Sequence, residues 1–140
     1  MNIQIAETDK QREQAYHVRM VVFVEEQKVP PAEELDAFDE EAIHFVGYQK
    51  NMPIAAARLR FIEGYGKLER ICILKPFRGK SFGKQLIKTM EEAIYNKGYL
   101  EARLNAQTQA ENFYMRLGYR TISSEFLDAG IPHVTMIKEV

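Results

Sequence analysis

The turn R-G-K-S-F-G-K at residues 78–84 is the clearest place in this sequence for phosphate chemistry. It lies between a predicted strand and the longest predicted helix, whose first turn presents unpaired backbone N–H groups and the positive end of the helix dipole. The turn combines small residues, which let a diphosphate approach the backbone, with basic ones: Gly79, Ser81 and Gly83 with Arg78, Lys80 and Lys84. It therefore predicts a diphosphate site, with an ordinary helix cap as the alternative.

Two common nucleotide-binding motifs are absent from this turn. A Walker A loop ending in Gly79-Lys80-Ser81 needs a glycine five positions before Gly79, where Leu74 stands. The G-x-G-x-x-G fingerprint is absent as well. An NTPase is therefore excluded.

The histidines and the single cysteine of this sequence predict neither a metal site nor a catalytic nucleophile. His17, His44 and His133 lack the paired spacing of metal ligands, so no metal site is expected. Cys72 is the only cysteine, which excludes an intramolecular disulfide and favours a reducing compartment. No histidine is near Cys72 in the sequence, and strand cysteines are usually buried hydrophobes, so we reject a cysteine nucleophile.

The spacing of apolar residues predicts the helices and strands that must position this turn. A capping box at Thr8 and Gln11 predicts a helix that ends before Pro30, and an acidic segment at residues 33–41 predicts a loop or a short helix. Further helices are predicted at residues 79–97 and 111–117, and strands at residues 2–6, 44–49, 54–62, 67–74 (with a bulge near Arg70), 100–106, 119–123 and 134–137. The strand–helix–strand unit at 67–106 predicts one parallel strand pair. We therefore expect one mixed α/β domain over residues 1–140.

Composition excludes several classes of protein. The chain has 140 residues, 46% of them apolar, with 19 basic and 20 acidic side chains and a net charge of −1. This is typical of a globular domain and offers no basic field for nucleic acid. Because no apolar run approaches the roughly 20 residues that span a bilayer, we expect no membrane association and a cytoplasmic protein.

Three segments carry a resemblance to a known family: residues 71–83 (I-C-I-L-K-P-F-R-G-K-S-F-G), residues 112–119 (N-F-Y-M-R-L-G-Y), and residues 18–27 together with 128–133. Together they resemble the GNAT superfamily of acyl-CoA N-acyltransferases, and within it a small bacterial subgroup typified by the ElaA and YjcF proteins. Two positions depart from the family pattern: Ser81 stands where a glycine is usual, and Gln107 where an asparagine is common.

The resemblance implies a fold and a coenzyme site. The fold is a central, mostly antiparallel sheet with one splayed parallel strand pair and helices on both faces. The cosubstrate is acetyl-CoA, whose pantetheine would pair with the backbone of Ile71, Cys72 and Ile73. Its pyrophosphate would lie on the amides of residues 78–84. The implied coenzyme contacts are Ile71, Cys72, Ile73, Arg78, Gly79, Lys80, Ser81, Phe82, Gly83, Lys84, Gln107 and Asn112.

The resemblance also implies a reaction, transfer of an acetyl group to a primary amine of a small molecule or peptide by direct attack in a ternary complex. Tyr114 would be the general acid that protonates the leaving thiolate. Glu69 is the candidate base, its alternative being a salt bridge with Arg58, Arg60 or Arg103. Apart from the resemblance, His133 lies in a segment expected to border the acceptor cleft and is a candidate substrate-binding residue, because histidines commonly transfer protons near neutral pH; a structural histidine is the alternative.

Other functions remain open at this stage. Arg19, Phe23 and the acidic run at residues 34–39 resemble the N-terminal signature of acyl-homoserine-lactone synthases, in which such charges form a structural cluster and help to position substrate. We therefore expect Arg19 to pair with Asp36 or Asp39 and to take part in substrate binding. A non-catalytic acyl-CoA sensor would need the turn but not Tyr114. The sequence leaves open whether the protein is a monomer or a homodimer.

Overall fold

The computed structural model describes all residues, 1–140. Its strands are β1 (Asn2–Ile5), β2 (Ile43–Gln49), β3 (Met52–Ile62), β4 (Tyr65–Ile73), β5 (Glu101–Gln107), β6 (Arg120–Thr121), β7 (Phe126–Asp128) and β8 (Ile131–Glu139). Its α-helices are α1 (Asp9–Arg19), α2 (Pro31–Glu34), α3 (Phe82–Asn96) and α4 (Glu111–Arg116). A π-helical segment follows α1 at Met20–Glu26, and 3-10 turns form at Ala37–Glu40, Lys75–Phe77 and Thr108–Ala110. None of the helices has both the length and the apolar character needed to cross a bilayer.

The strands form one sheet in the order β1-β2-β3-β4-β5-β8-β6, and β7 pairs with β8. Every pair is antiparallel except β4 and β5, which are parallel because α3 connects them as a crossover helix. The prediction of a mostly antiparallel sheet with one parallel pair is therefore confirmed.

Helices cover both faces of the sheet, as predicted. The apolar stripe of α3, including Leu86, Met90 and Ile94, packs on one face in the larger core cluster. On the other face, Ala15, Val18 and Val22 form a smaller cluster with residues of β2, β3 and β4. Because successive side chains of a strand alternate between faces, β2, β3 and β4 each contribute to both clusters.

Local signals explain most of the element boundaries. The Thr8 hydroxyl accepts the Gln11 amide at 3.1 Å and starts α1, as the capping box predicts. Gly98, with φ +91°, follows the end of α3. The sequence did not predict the π-helical segment or the separate short strand β7.

Candidate active site

A cleft opens where β4 and β5 separate. Their parallel pairing covers only Gly66–Leu68 opposite Ala102–Leu104 and then stops. On the other edge of β4, a bulge places two residues opposite Ala57, and Arg70 there has φ +55°. The predicted bulge near Arg70 is therefore present, and it locally bends the strand. The resulting cleft has a volume of about 1120 Å³ and is lined by β4, β5, the start of α3, α4, the π-helical segment and the β7–β8 hairpin.

The turn before α3 presents a row of free amides to this cleft. Neither main-chain nor side-chain oxygens accept hydrogen bonds from the amides of residues 79–84. Gly79 and Ser81 both have a left-handed backbone, with φ values of +79° and +65°. A glycine suits the position of Ser81 better for this reason, because a Cβ is strained at such φ values.

Gly83 differs from Gly79 in lying next to α4. A Cβ on Gly83 would lie 3.6 Å from the Phe113 ring, an ordinary van der Waals contact, and its φ is not positive, so a larger residue is tolerated there. The first turn of α3 therefore packs against α4 at Phe113. This contact places Tyr114, the residue after Phe113, beside the cleft.

The three basic side chains of the turn differ in their surroundings. The Arg78 guanidinium donates two hydrogen bonds to the Glu26 carboxylate, at 2.6 and 2.7 Å, and its Nε donates to the Ile73 carbonyl at 2.9 Å. Lys84 lines the cleft. Lys80 does not line the cleft, and its Nζ lies 5.8 Å from the centre of the Phe77 ring.

Tyr114 lies beside the cleft with its hydroxyl unpaired. Its ring packs edge-on against Phe113 and Tyr119, at centroid distances of 5.1 and 5.9 Å. Its hydroxyl forms no hydrogen bond within the protein and is not sealed from the cleft. Burial raises the pKa of Tyr114 to about 12, so the phenol keeps its proton at neutral pH.

Glu69 lines the cleft but is a poor base. Its carboxylate lies 2.9 Å from Arg58, 2.7 Å from Arg60 and 3.3 Å from Lys67. Burial acts to raise the pKa of Glu69, but the hydrogen bond from Arg60 and the charges of Arg58 and Lys67 outweigh it and lower the pKa to about 2. The structure therefore favours the salt-bridge alternative, in which Arg103 takes no part because it pairs with Glu101 at 2.8 Å.

Arg19 is fully buried, and it does not line the cleft. It forms ion pairs with Asp39 at 2.7 Å and with Glu34 at 2.8 Å. The predicted pairing with Asp39 is therefore confirmed. The expectation that Arg19 binds substrate is wrong, because the acidic segment covers its guanidinium. Asp36, the other expected partner, pairs with Arg58 instead, at 2.7 Å.

Three other expected coenzyme contacts differ in how they face the cleft. Cys72 is buried, its thiol lies 3.6 Å from the Ala56 carbonyl oxygen, and burial raises its pKa to about 12. The Gln107 side chain lines the cleft and donates to Gln27 at 2.8 Å. Asn112 is exposed and is not among the residues that line the cleft, so its contact with the coenzyme stays a prediction.

The β7–β8 hairpin forms a wall of the cleft that sequence reasoning found only in part. It places Asp128, Ala129, Ile131 and His133 along the cleft. Its turn uses Ala129 and Gly130, with φ values of +52° and +75°. The signal was the turn-forming D-A-G sequence between two runs of strand-forming residues. His133 was expected at this border, and the structure places it there.

Comparison with known proteins identifies the family. The sequence matches the Acetyltransferase (GNAT) domain family over residues 7–140. The chain belongs to the GNAT family of acetyltransferases. The uncharacterized N-acetyltransferase YjcF of Bacillus subtilis is 47% identical over 140 residues, which cover 99% of this chain and 100% of YjcF.

Solved structures agree with this assignment. An acyl-CoA N-acyltransferase from Pseudomonas aeruginosa has a TM-score of 0.87 and is 26% identical over 99% of each chain. Escherichia coli ElaA has a TM-score of 0.86 and is 25% identical, again over 99% of each chain. The predicted family, subgroup and fold are therefore confirmed, and the chain is a GNAT-type N-acetyltransferase.

Proposed function

We propose that this GNAT enzyme transfers an acetyl group from acetyl-CoA to a primary amine of a small molecule or peptide, by direct attack in a ternary complex. The observation that carries the proposal is the free edge of β4 beside the row of unpaired amides at residues 79–84. The chain thus offers main-chain groups for an amide-bearing arm next to donors for a diphosphate.

The residues of the turn and of β4 fit acetyl-CoA. Amides at the start of a 15-residue helix are suited to a diphosphate because the donors and the helix dipole act together. The backbone of Ile71 and Ile73 extends beyond the last β4–β5 pair, and there it would bind the pantetheine amides as an added strand does. A cleft of about 1120 Å³ exceeds the roughly 300–1,000 Å³ of a pocket for one drug-sized ligand, so an acceptor fits beside the coenzyme.

Protein groups then account for the chemistry. Acetyl-CoA supplies an activated thioester. A free N–H of β4 near Ile71 or Ile73 would stabilise the negative charge that develops on the carbonyl oxygen. The Tyr114 hydroxyl would give its proton to the departing sulfur.

Direct attack is favoured over a covalent acetyl-enzyme. The alternative needs a nucleophilic side chain, and Cys72 is the only thiol in the cleft wall. Its sulfur is buried and its pKa is raised to about 12, so almost none of it is thiolate at neutral pH.

Tyr114→Phe tests the proposal. We expect the variant to lower kcat by about 10²- to 10⁴-fold, the usual contribution of a positioned acid. The affinity for acetyl-CoA stays unchanged because the hydroxyl holds no hydrogen bond within the protein. Thiol release is followed with acetyl-CoA and a panel of amines, amino acids and peptides, and calorimetry measures acetyl-CoA binding.

Tyr95→Phe is the matched control, because Tyr95 lies on α3 with 61% of its surface exposed and outside the cleft. Acetyl-CoA binding without thiol release across the whole panel would favour an acyl-CoA sensor. A Tyr114→Phe enzyme with the wild-type rate, under conditions where chemistry limits turnover, would refute the acid role.

A further inference from the structure

His133 has one ring nitrogen committed and one free. Its Nδ1 lies 2.6 Å from the Ile131 carbonyl oxygen. A carbonyl oxygen only accepts hydrogen bonds, so Nδ1 carries the proton and donates it. In the neutral ring, Nε2 is then the atom with the basic lone pair.

The free nitrogen is accessible, and it belongs to a residue that lines the cleft. The residue is only 8% exposed, yet it lines the cleft, and Nε2 has no hydrogen-bond partner in the protein while remaining accessible. The ring is held in place by stacking on Phe126, with 6.0 Å between centroids and 25° between planes. Register places His133 directly opposite Gln107 of β5, at the end where β4 and β5 have separated.

His44 provides a contrast within the same molecule. Its Nε2 lies 2.7 Å from the Asp39 carbonyl oxygen, and its other nitrogen is buried without a partner. His44 is 2% exposed and does not line the cleft. The free nitrogen of His133 is therefore the only histidine nitrogen that both lacks a protein partner and reaches the cleft, because His17 is on the exposed side of α1.

Three carboxylates of the cleft are held in ion pairs: Glu69 by three cations, Asp36 by Arg58 and Glu34 by Arg19. Glu33 and Asp128 also line the cleft and form no ion pair. A carboxylate nevertheless has an ordinary pKa of about 4, further from neutral pH than the roughly 6.5 of imidazole, so a histidine suits a general base better. We propose that His133 is the general base that deprotonates the acceptor, an alkylammonium group whose nitrogen approaches Nε2. This assignment rests on the proposed acetyl transfer and adds the proton acceptor that it requires.

The proton balance is complete with residues already in the cleft. Nε2 takes one proton from the ammonium and releases it to solvent, which frees the nitrogen lone pair to form the new C–N bond. As the C–S bond breaks, the nitrogen loses a second proton to solvent, and the Tyr114 oxygen, which has given its proton to the sulfur, regains one from solvent. The net release is one proton to solvent in each turnover.

Ionisable groups of neighbouring elements line the cleft together with His133. Asp128 lies on β7, the strand paired with β8. β5 and the 3-10 turn at Thr108–Ala110 bring no ionisable side chain into the cleft, and β6 contributes none. The ionisable groups of β4 and α4 that line the same cleft are Lys67, Glu69, Arg70, Cys72, Tyr114 and Arg116.

His133→Gln tests the base role, with His17→Gln as the matched control. Two alkylamines of similar size serve as acceptors: ethylamine, which is protonated at neutral pH, and 2,2,2-trifluoroethylamine, which is largely unprotonated there. We expect His133→Gln to lower kcat/KM for ethylamine by about 10²- to 10⁴-fold and to affect trifluoroethylamine much less, because only the first needs a base. Imidazole added to His133→Ala should restore part of the ethylamine rate.

A second measurement does not depend on turnover. Nitrogen–proton correlation spectra of the free protein above the titration of the ring should show His133 with its proton on Nδ1. The exposed His17 should show the ordinary mixture of tautomers. Calorimetry on His133→Gln should give wild-type acetyl-CoA affinity, which shows that the cleft is intact.

Three results would overturn the inference: His133→Gln with wild-type kcat/KM for ethylamine, equal losses for both amines, or a proton on Nε2 of neutral His133. Equal losses would indicate a role in binding rather than in proton transfer. If wild-type protein binds acetyl-CoA but acetylates neither amine nor any member of the wider panel, the proposed function itself fails, and the base role with it.

Discussion

Replacing Ser81 by glycine tests how the turn holds its amides. Ser81 stands at the N-cap of α3 with φ +65° and ψ +15°, and its side chain makes no capping hydrogen bond. The hydroxyl therefore gives the free protein nothing to offset a left-handed backbone. Ser81→Gly should stabilise the fold and leave the amides in place.

The magnitude follows from two opposing contributions. A left-handed conformation costs a residue with a Cβ about 1–2 kcal/mol. Glycine loses more backbone entropy on folding, which costs about 0.5–1 kcal/mol. The expected net gain in the free energy of unfolding is about 0.5–1 kcal/mol, or about 2–4 °C in Tm for a domain of this size.

Gly79→Ala is the opposite perturbation in the same turn. Gly79 has φ +79°, and a Cβ there would have no atom within 4 Å, so the change adds backbone strain without a clash. It should destabilise the fold by about 1 kcal/mol. Ser81→Ala keeps the Cβ and removes only the hydroxyl, so its stability should match the wild type.

Urea denaturation followed by circular dichroism measures all three variants. The midpoint should shift at constant m-value, and calorimetry should give Ser81→Gly an acetyl-CoA affinity within about 3-fold of wild type. A loss of stability in Ser81→Gly would refute the argument from strain. A loss of acetyl-CoA affinity in both Ser81→Gly and Ser81→Ala would instead show that the hydroxyl contacts the ligand.

Three further predictions concern charge in and around the cleft. Glu26→Gln releases Arg78 from its ion pair and should strengthen acetyl-CoA binding by up to about 5-fold in calorimetry, because an exposed ion pair contributes up to about 1 kcal/mol. Arg78→Gln should instead weaken acetyl-CoA binding. Equal affinities in the two variants would contradict this prediction. The pKa values of Asp39 and Glu69 are both lowered to about 2, so these groups contribute stability that is present above about pH 4.5 and is lost as pH falls toward 2. Denaturation curves should show the free energy of unfolding falling by on the order of 2 kcal/mol per group over this range. A free energy of unfolding that does not change with pH would contradict the prediction. Iodoacetamide at pH 8 should leave Cys72 unmodified in the native protein and modify it in urea, and rapid labelling of the native thiol would argue against its burial.

The sequence was sufficient for the parts of the fold that depend on local signals. The capping box at Thr8, the glycine after α3 and the strand–helix–strand unit each predicted an element that the structure contains. The π-helical segment at Met20–Glu26 was not predictable in this way, because its residues continue the apolar helical pattern of α1. Its extra backbone turn depends on packing against the sheet, which periodicity does not report.

In the candidate site, too, the residues that depend on local backbone geometry were predictable, and the effects of contacts with distant partners were not. The turn before α3 was predictable because a helix start and its small residues act through the backbone, which needs no partner elsewhere in the sequence. The sequence suggested Asp39 as a partner of Arg19, and Arg58 and Arg60 as partners of Glu69. It did not show that these contacts bury Arg19 and lower the pKa of Glu69, because the contacts join residues distant in sequence.

The buried ion network explains why a carboxylate that lines a cleft is not for that reason a catalytic base. Arg58 contacts Glu69, Asp36 and Asp39 at 2.7–3.0 Å, so the acidic segment is held to the sheet by the same cations that neutralise Glu69. A carboxylate in such a network gains stability by staying ionised, and the same stabilisation makes it reluctant to accept a proton. A histidine outside the network, with one ring nitrogen fixed by a backbone carbonyl and the other without a partner, is not restricted in this way and can accept a proton. His133 meets that condition because the hairpin places it across the cleft from β4, and none of Arg19, Arg58 and Arg60 is bonded to it.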